Sequence, residues 1–180
     1  MSGCSRTEEL ADADAGPAPS SSEAEVLAKV SNEVKEARVS SLPMLGAAPD
    51  WELARLDGTK MSSKDLAGKV VVLDFWATWC GPCKAEIPHY IEMQRDLEEK
   101  GMVIVGVSLD RAGPEVVKKF QTEYGINYPL IMGDSNMVDA FGGIEAIPTT
   151  FIIDRNGQVR DRKVGLTDPA EYRLKIESLL

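Results

Sequence analysis

The fold of this chain is decided by the stretch Val70-Val71-Val72-Leu73-Asp74-Phe75-Trp76-Ala77-Thr78-Trp79-Cys80-Gly81-Pro82-Cys83-Lys84. Its first half is an apolar run rich in β-branched residues, which is typical of a strand buried in a parallel sheet. Its second half holds two cysteines separated by two residues, and Lys84 to Lys100 then show helical composition with apolar residues at helical spacing. The pattern predicts that the cysteines lie on a strand-to-helix turn, with Cys80 at the helix start.

This position at a helix start favours redox chemistry at the two cysteines. Unpaired backbone N–H groups and the positive end of the helix dipole stabilise a thiolate there and lower its pKa. Pro82 suits the first helical turn because that turn needs no N–H donor from it, and Gly81 lets a partner's backbone approach closely. We predict that Cys80 is the attacking thiolate and that Cys83 is the buried resolving thiol. The pair is expected to alternate between dithiol and disulfide with no other cofactor.

Two bland explanations of the cysteine pair are less favoured. A tetrahedral zinc site needs two more ligands, and the remaining candidates of the usual type are Cys4, in the N-terminal tail, and His89. A purely structural disulfide would close a loop too short to restrict the unfolded chain much. The sequence therefore predicts a redox-active pair and no metal site.

A family resemblance rests on the run from Asp74 to Lys84 together with Ile147-Pro148-Thr149-Thr150 downstream. These residues resemble the thioredoxin superfamily, and the detail is similar to its extracytoplasmic TlpA/ResA-like branch, which overlaps with the redoxin and AhpC/TSA group. The resemblance extends from about Ala48 to the C-terminus. It implies an α/β thioredoxin fold, a mixed sheet flanked by helices, with an N-terminal β-hairpin and a strand–helix insertion before Pro148.

The resemblance also implies that the peptide bond between Ile147 and Pro148 is cis and faces the cysteines. Backbone groups at Ile147 would then pair with an extended substrate segment beside Cys80. Trp79 is expected to shield the thiol and to form part of an apolar landing surface. The candidate substrate-binding residues are therefore Trp79, Gly81, Pro82, Ile147 and Pro148.

Two acidic residues are candidates to accept the proton of the resolving thiol. Asp74 lies in the apolar strand six residues before Cys80, an even offset that gives both the same face, and burial is expected to raise its pKa. Thioredoxins carry such an acid at the matching position, whereas many TlpA/ResA-like sequences have a neutral residue there. Glu86, one helical turn beyond Cys83, resembles the acid that the extracytoplasmic branch carries near its thiols. We favour Asp74 and leave the choice open at this point.

The remainder of the domain is predicted to alternate strands and helices and to close with a hairpin and a helix. The predicted strands are Trp51–Leu56, Met102–Leu109, Tyr128–Met132, Thr149–Ile153 and Gln158–Val164. The predicted helices after the cysteine motif are Gly113–Tyr124, Ser135–Phe141 and Asp168–Leu180.

Composition excludes several classes of protein. A formal net charge of −9 argues against nucleic-acid binding, which needs a basic surface. No apolar run is long enough to cross a bilayer, and three cysteines do not make a disulfide-stapled scaffold. Hydrophobic residues make up 43% of the 180 residues, which is enough for the core of one domain with extra sequence.

The N-terminal region is expected to tether this domain. Met1-Ser2-Gly3-Cys4-Ser5 resembles the end of a bacterial lipoprotein signal, so Cys4 is the expected lipidation site. Residues 1–22 are rich in Ala, Ser, Pro, Asp and Glu and are predicted to be a disordered tether. Residues 23–47 are predicted to form a short amphipathic helix and a linker. Residues 48–180 are the predicted thioredoxin-like domain.

We therefore expect a thiol–disulfide oxidoreductase in the bacterial cell envelope or periplasm. The Gly-Pro pair between the cysteines resembles the reducing thioredoxins, so the expected reaction is reduction of protein disulfides, apocytochrome c among them. Electrons would come from a membrane donor protein, and only a lipid on Cys4 would touch the membrane. A redoxin-type thiol peroxidase, in which Cys83 resolves a sulfenic acid on Cys80, is one alternative. A non-catalytic binding module is the other.

Overall fold

The computed structural model of the chain describes Val26, Lys29 and residues 42–166 and 168–180. The chain divides into two units, Met1–Val34 and Lys35–Leu180. In the first unit, Val26 and Lys29 are helical and exposed, at two positions of the region 23–47 that was predicted to contain a helix. The predicted tether at residues 1–22, including Cys4, lies outside the described residues.

The described part of the second unit is an α/β structure built on a mixed sheet. Its strands are β1 (Gly46–Ala47), β2 (Glu52–Ala54), β3 (Lys60–Ser62), β4 (Val70–Trp76), β5 (Met102–Ser108), β6 (Leu130–Met132), β7 (Thr149–Ile153) and β8 (Gln158–Val164). Its α-helices are α1 (Gly81–Leu97), α2 (Pro114–Tyr124), α3 (Ser135–Ala140) and α4 (Pro169–Leu179), and short 3₁₀ helices span Ser63–Leu66 and Glu98–Lys100. The fold class predicted from the sequence is confirmed.

Six strands form the main sheet, in the order β1-β8-β7-β4-β5-β6. The central strand β4 pairs in parallel with β5 and antiparallel with β7. All residues of β4 and β5 are buried, which is why both strands are continuous apolar runs in the sequence. The separate hairpin of β2 and β3 is the predicted N-terminal hairpin, and β6 followed by α3 lies before Pro148 as the resemblance implied.

The sheet also reaches two residues beyond the predicted start of the domain. Gly46 and Ala47 pair with Val159 and Gln158 of β8, so β1 extends the sheet from a segment that was predicted to be linker. Two residues are too few to show the alternation of apolar and polar side chains that marks a strand. Long-range pairing with β8, rather than local pattern, therefore defines this strand.

Helices cover both faces of the sheet, and β4 contributes to both cores. Val72 and Trp76 belong to the core cluster that includes residues of α1, α2 and α4, whereas Leu73 and Phe75 belong to the cluster that includes residues of α3. Because side chains alternate along a strand, Asp74 shares the face of Val72 and Trp76. The buried acid of β4 therefore lies on the side of the sheet that is covered by α1.

Close packing in the middle of the sheet gives a first prediction. Gly106 of β5 lies between β4 and β6, and a Cβ at this position would lie 2.5 Å from Leu130 Cδ2 and 2.9 Å from Trp76 Nε1. Gly106→Ala is expected to lower the free energy of unfolding by about 1–3 kcal/mol, measured by urea denaturation. Gly81→Ala is the control, because its Cβ meets no atom within 4 Å. Equal unfolding midpoints for the two variants would contradict the prediction.

Candidate active site

Cys80 and Cys83 form a disulfide at the N-terminus of α1, with their Cα atoms 5.3 Å apart. Cys80 is the N-cap residue, and its Sγ accepts a hydrogen bond of 3.2 Å from the backbone N–H of Cys83. Both residues are buried, with 5% of Cys80 and 2% of Cys83 exposed. The predicted position at a strand-to-helix turn is confirmed. When the disulfide is reduced, the amides and the dipole of α1 are placed to stabilise a thiolate on Cys80.

The segment before β7 lies directly against the reactive sulfur. The peptide bond between Ile147 and Pro148 is cis, as the resemblance implied, and the carbonyl oxygen of Ile147 lies 3.7 Å from Cys80 Sγ. The carbonyl oxygen of Pro148 accepts a hydrogen bond of 2.8 Å from the backbone N–H of Gly165, which joins this segment to the end of β8. An extended chain that reaches Cys80 therefore meets the backbone of Ile147.

Exposed apolar side chains surround this point. Trp79 is 68% exposed, so it is a surface residue and not part of the core, whereas Trp76 is buried. Gly81 and Pro82 are exposed as well. Val164 and Leu166 are exposed on either side of Gly165, and sequence reasoning did not single them out. Apolar residues between the end of a strand and the N-cap of a helix were the available signal.

Asp74 is buried on the face of β4 that α1 covers. The hydroxyl of Thr150 donates a hydrogen bond of 3.2 Å to Asp74 Oδ1. Burial, and then the negative charge of Glu86, raise the pKa of Asp74 to about 8, and the hydrogen bond from Thr150 opposes this rise. The raised pKa that burial predicted is thus present, and a carboxyl with this pKa can take up and release a proton near neutral pH.

Glu86 is buried too, and therefore is not a solvated residue on the helix surface. Its effect on the pKa of Asp74 places the two carboxyl groups in one electrostatically coupled site. Asp74 and Glu86, 12 positions apart in the sequence, are thus both held behind the disulfide by β4 and α1.

Tyrosines complete the buried polar site, and the sequence analysis did not identify them. The hydroxyl of Tyr90 lies 3.4 Å from Thr150 Oγ1, which in turn contacts Asp74. Burial, and then the negative charge of Asp74, raise the pKa of Tyr90, Tyr128 and Tyr172 well above the ordinary value. All three hydroxyls therefore remain protonated at any physiological pH. The spacing of four between Glu86 and Tyr90 on α1 was the available signal.

The other titratable residues near the motif have structural surroundings. Lys84 Nζ lies 5.8 Å from the centroid of the Phe120 ring, in a cation–π contact, and His89 is exposed. Among the described residues there is no group of three or more His, Cys, Asp or Glu that could hold a metal ion. Within the same part of the chain, no helix is long and apolar enough to span a membrane.

Comparison with known proteins agrees with this geometry. Residues 45–162 match the model of the AhpC/TSA family. Thiol-disulfide oxidoreductase ResA of Bacillus thuringiensis (strain Al Hakam) is 36% identical over 118 residues, which are 66% of this chain and 68% of that protein. The ResA of Geobacillus thermodenitrificans (strain NG80-2) is 33% identical over 133 residues, 73% of this chain and 75% of that protein.

A solved structure shows the same fold. The thiol:disulfide interchange protein from Chlorobium tepidum TLS, a thioredoxin family protein, superposes with a TM-score of 0.69 at 33% sequence identity. The superposition covers 74% of this chain and 95% of that chain. The mixed sheet, the helix that begins at Cys80 and the disulfide are thus set in an arrangement found in thiol–disulfide exchange proteins.

Proposed function

Because this chain belongs to the AhpC/TSA family and is a thiol–disulfide oxidoreductase of the TlpA/ResA-like type, we propose that it reduces disulfides of proteins outside the cytoplasm. One observation carries the proposal, namely the Cys80–Cys83 disulfide at the N-terminus of α1 beside the Ile147–Pro148 segment. The buried acids behind the disulfide support the reducing direction. Their negative charge opposes a second negative charge on the reduced pair, so the dithiol gives up its electrons more readily.

The proposed cycle starts from the dithiol. The Cys80 thiolate attacks one sulfur of the client disulfide, forms a mixed disulfide and releases the first client thiolate. The thiol of Cys83 passes its proton to a buried carboxylate, for which we propose Asp74 with Glu86 as the alternative. The Cys83 thiolate then attacks Cys80 Sγ and releases the second client thiolate. The two cysteines supply both electrons, and no further cofactor takes part.

We also propose how the client is held during this reaction. The backbone of Ile147 pairs with an extended client segment, because its carbonyl oxygen lies beside Cys80 Sγ. The exposed surface of Trp79, Gly81 and Pro82 faces the client from the other side of the sulfur. Pro148 itself is buried and acts by fixing the backbone of Ile147.

The proposed location and partners rest on sequence resemblance. The similarity of Met1-Ser2-Gly3-Cys4-Ser5 to the end of a lipoprotein signal supports lipidation of Cys4 and a place in the cell envelope or periplasm. Apocytochrome c and other envelope proteins with cysteine pairs are the proposed clients. A membrane protein is the proposed electron donor, because an oxidising compartment has no reducing pool. Mass spectrometry of the full-length native protein tests the lipid, and an unmodified Cys4 would contradict it.

Two assays distinguish the reductase from a peroxidase and from a binding module. In the presence of dithiothreitol, the protein is expected to accelerate the precipitation of insulin chains, and the Cys80→Ser variant is expected to give the uncatalysed rate. Hydrogen peroxide consumption is expected to stay at the rate of an ordinary exposed thiol. Fast peroxide consumption without insulin reduction would favour the peroxidase, which uses Cys80 as a sulfenic acid. Inactivity in both assays would favour the binding module.

A further inference from the structure

A buried carboxylate outside the cysteine pair holds the loop that leads into Cys80. Asp110 follows β5 and is 8% exposed. Its Oδ2 accepts a hydrogen bond of 2.9 Å from the backbone N–H of Thr78, and its Oδ1 accepts one of 2.6 Å from the Thr78 hydroxyl. A single carboxylate thus binds both hydrogen-bond donors of the residue two positions before Cys80.

Asp110 is itself firmly placed. The hydroxyl of Ser108, which is fully buried, donates to Asp110 Oδ2 at 2.8 Å and accepts from the backbone N–H of Asp110 at 3.1 Å. The next residue, Leu109, donates its backbone N–H to the carbonyl oxygen of Trp76 at 2.9 Å. The carboxylate is therefore fixed to the end of β5, and the loop after β4 is fixed to the carboxylate.

The loop that Asp110 holds has the length of one tight turn. It runs from the end of β4 at Trp76 to the start of α1 at Gly81, and the backbone N–H of Cys80 donates to the carbonyl oxygen of Ala77 at 3.1 Å. Thr78 is one of the two middle residues of this turn. Tilting the turn would move Cys80 Sγ away from the amides of α1, whose effect on a charge fades within the first helical turn.

We propose that Asp110 is a positioning residue that fixes the turn of residues 77–80 through Thr78 and so keeps Cys80 Sγ at the N-terminus of α1. The role depends only on thiol chemistry at Cys80. It is independent of the reducing direction, the clients and the location proposed above.

The electrostatic effect of Asp110 has the opposite sign and can be separated from this role. A negative charge near the sulfur would disfavour the thiolate, so removing that charge would lower the pKa of Cys80. Loosening the turn would raise it, because the helix amides would stabilise the thiolate less well. Thr78→Val removes one hydrogen bond and keeps the carboxylate, whereas Thr78→Ser keeps both.

The test measures the rate at which iodoacetamide alkylates Cys80 between about pH 5 and 9, with Cys4 and Cys83 replaced by serine. Below the pKa of Cys80, Asp110→Asn is expected to slow alkylation about tenfold, and Thr78→Val about threefold. Thr78→Ser is expected to react like the parent. All rates are expected to converge at high pH, where the thiol is ionised regardless of its position.

Asp154 provides a matched control at the opposite end of the sheet. It is 7% exposed and accepts hydrogen bonds from the backbone N–H groups of Asn156 and Gln158 and from Arg160 Nη1, at 2.9, 3.0 and 3.0 Å. Asp154→Asn is therefore expected to lower the unfolding midpoint and to leave the pH profile of Cys80 unchanged.

Two results would overturn the inference. In the first, Asp110→Asn and Thr78→Val lower the unfolding midpoint as Asp154→Asn does, and the alkylation profile stays unchanged. In the second, Asp110→Asn speeds alkylation at acidic pH while Thr78→Val has no effect, so that charge and not position is responsible. In either case, insulin reduction by the wild-type chain would leave the proposed function intact.

Discussion

The Cys83→Ser variant is expected to stop after half a cycle and to remain covalently attached to its client through Cys80. The Cα atoms of the two cysteines are 5.3 Å apart, so in the wild-type protein Cys83 can attack Cys80 Sγ without a rearrangement of the backbone. Without that second thiol, the mixed disulfide has no intramolecular route to release. Turnover is expected to fall at least about 1,000-fold, while the first attack on the client proceeds.

A defined client makes this experiment quantitative. Reduced Cys83→Ser protein, carrying Cys4→Ser so that Cys80 is its sole thiol, is mixed with native insulin and quenched with acid. Mass spectrometry is expected to show an adduct with one insulin chain that dithiothreitol removes. The matched Cys80→Ser variant is expected to form little adduct, because Cys83 lies further inside the protein. Adducts on Cys83 in preference to Cys80 would reverse the roles assigned to the two thiols.

The parts of the fold that the sequence predicted are those with a strong local pattern. The apolar run of β4, the cysteine pair and the helix α1 follow one another without a gap, so their order alone defines the strand-to-helix turn. By contrast, the two-residue strand β1 exists because it pairs with β8 more than 100 positions later. No local pattern specifies such a pairing, because the free energy that stabilises it comes from the distant strand.

The candidate site divides in the same way. Asp74 could be predicted because a lone acid in an apolar strand must be buried, and its raised pKa follows from that burial. Thr150 reaches Asp74 from 76 positions away, and Asp110 reaches Thr78 from 32 positions away. An acid just after a strand is usually a solvated loop residue, so only the folded chain reveals that Asp110 is buried and bonded.

Asp74→Asn is expected to stabilise the oxidised protein, and the gain is expected to grow with pH. The pKa of Asp74 is about 8 in the folded chain, whereas an unfolded aspartate titrates near its ordinary value of about 3.9. Between these two values the unfolded state releases a proton that the folded state retains. The free energy of unfolding of the wild-type protein therefore falls as pH rises through this window, and it levels off above about pH 8. Asparagine does not ionise, so the variant escapes this loss.

Urea denaturation of the oxidised proteins at several pH values checks the sign and the size of this effect. The difference between Asp74→Asn and wild type is expected to be small near about pH 4 and to reach roughly 3–5 kcal/mol near about pH 9. Glu86→Gln is the matched comparison, because removing the charge of Glu86 lowers the pKa of Asp74 and narrows the window. A difference of the same size at every pH would contradict a raised pKa for Asp74.

The same two variants identify the proton acceptor for Cys83. If Asp74 accepts the proton, Asp74→Asn slows the release of client from the mixed disulfide by about tenfold or more near neutral pH, while the attack by Cys80 is less affected. If Glu86 is the acceptor, Glu86→Gln produces that slower release instead. Stopped-flow measurement of the two steps separates these outcomes. Unchanged release rates in both variants would show that neither buried carboxyl serves the resolving thiol, since a general base that is removed must slow the step it assists.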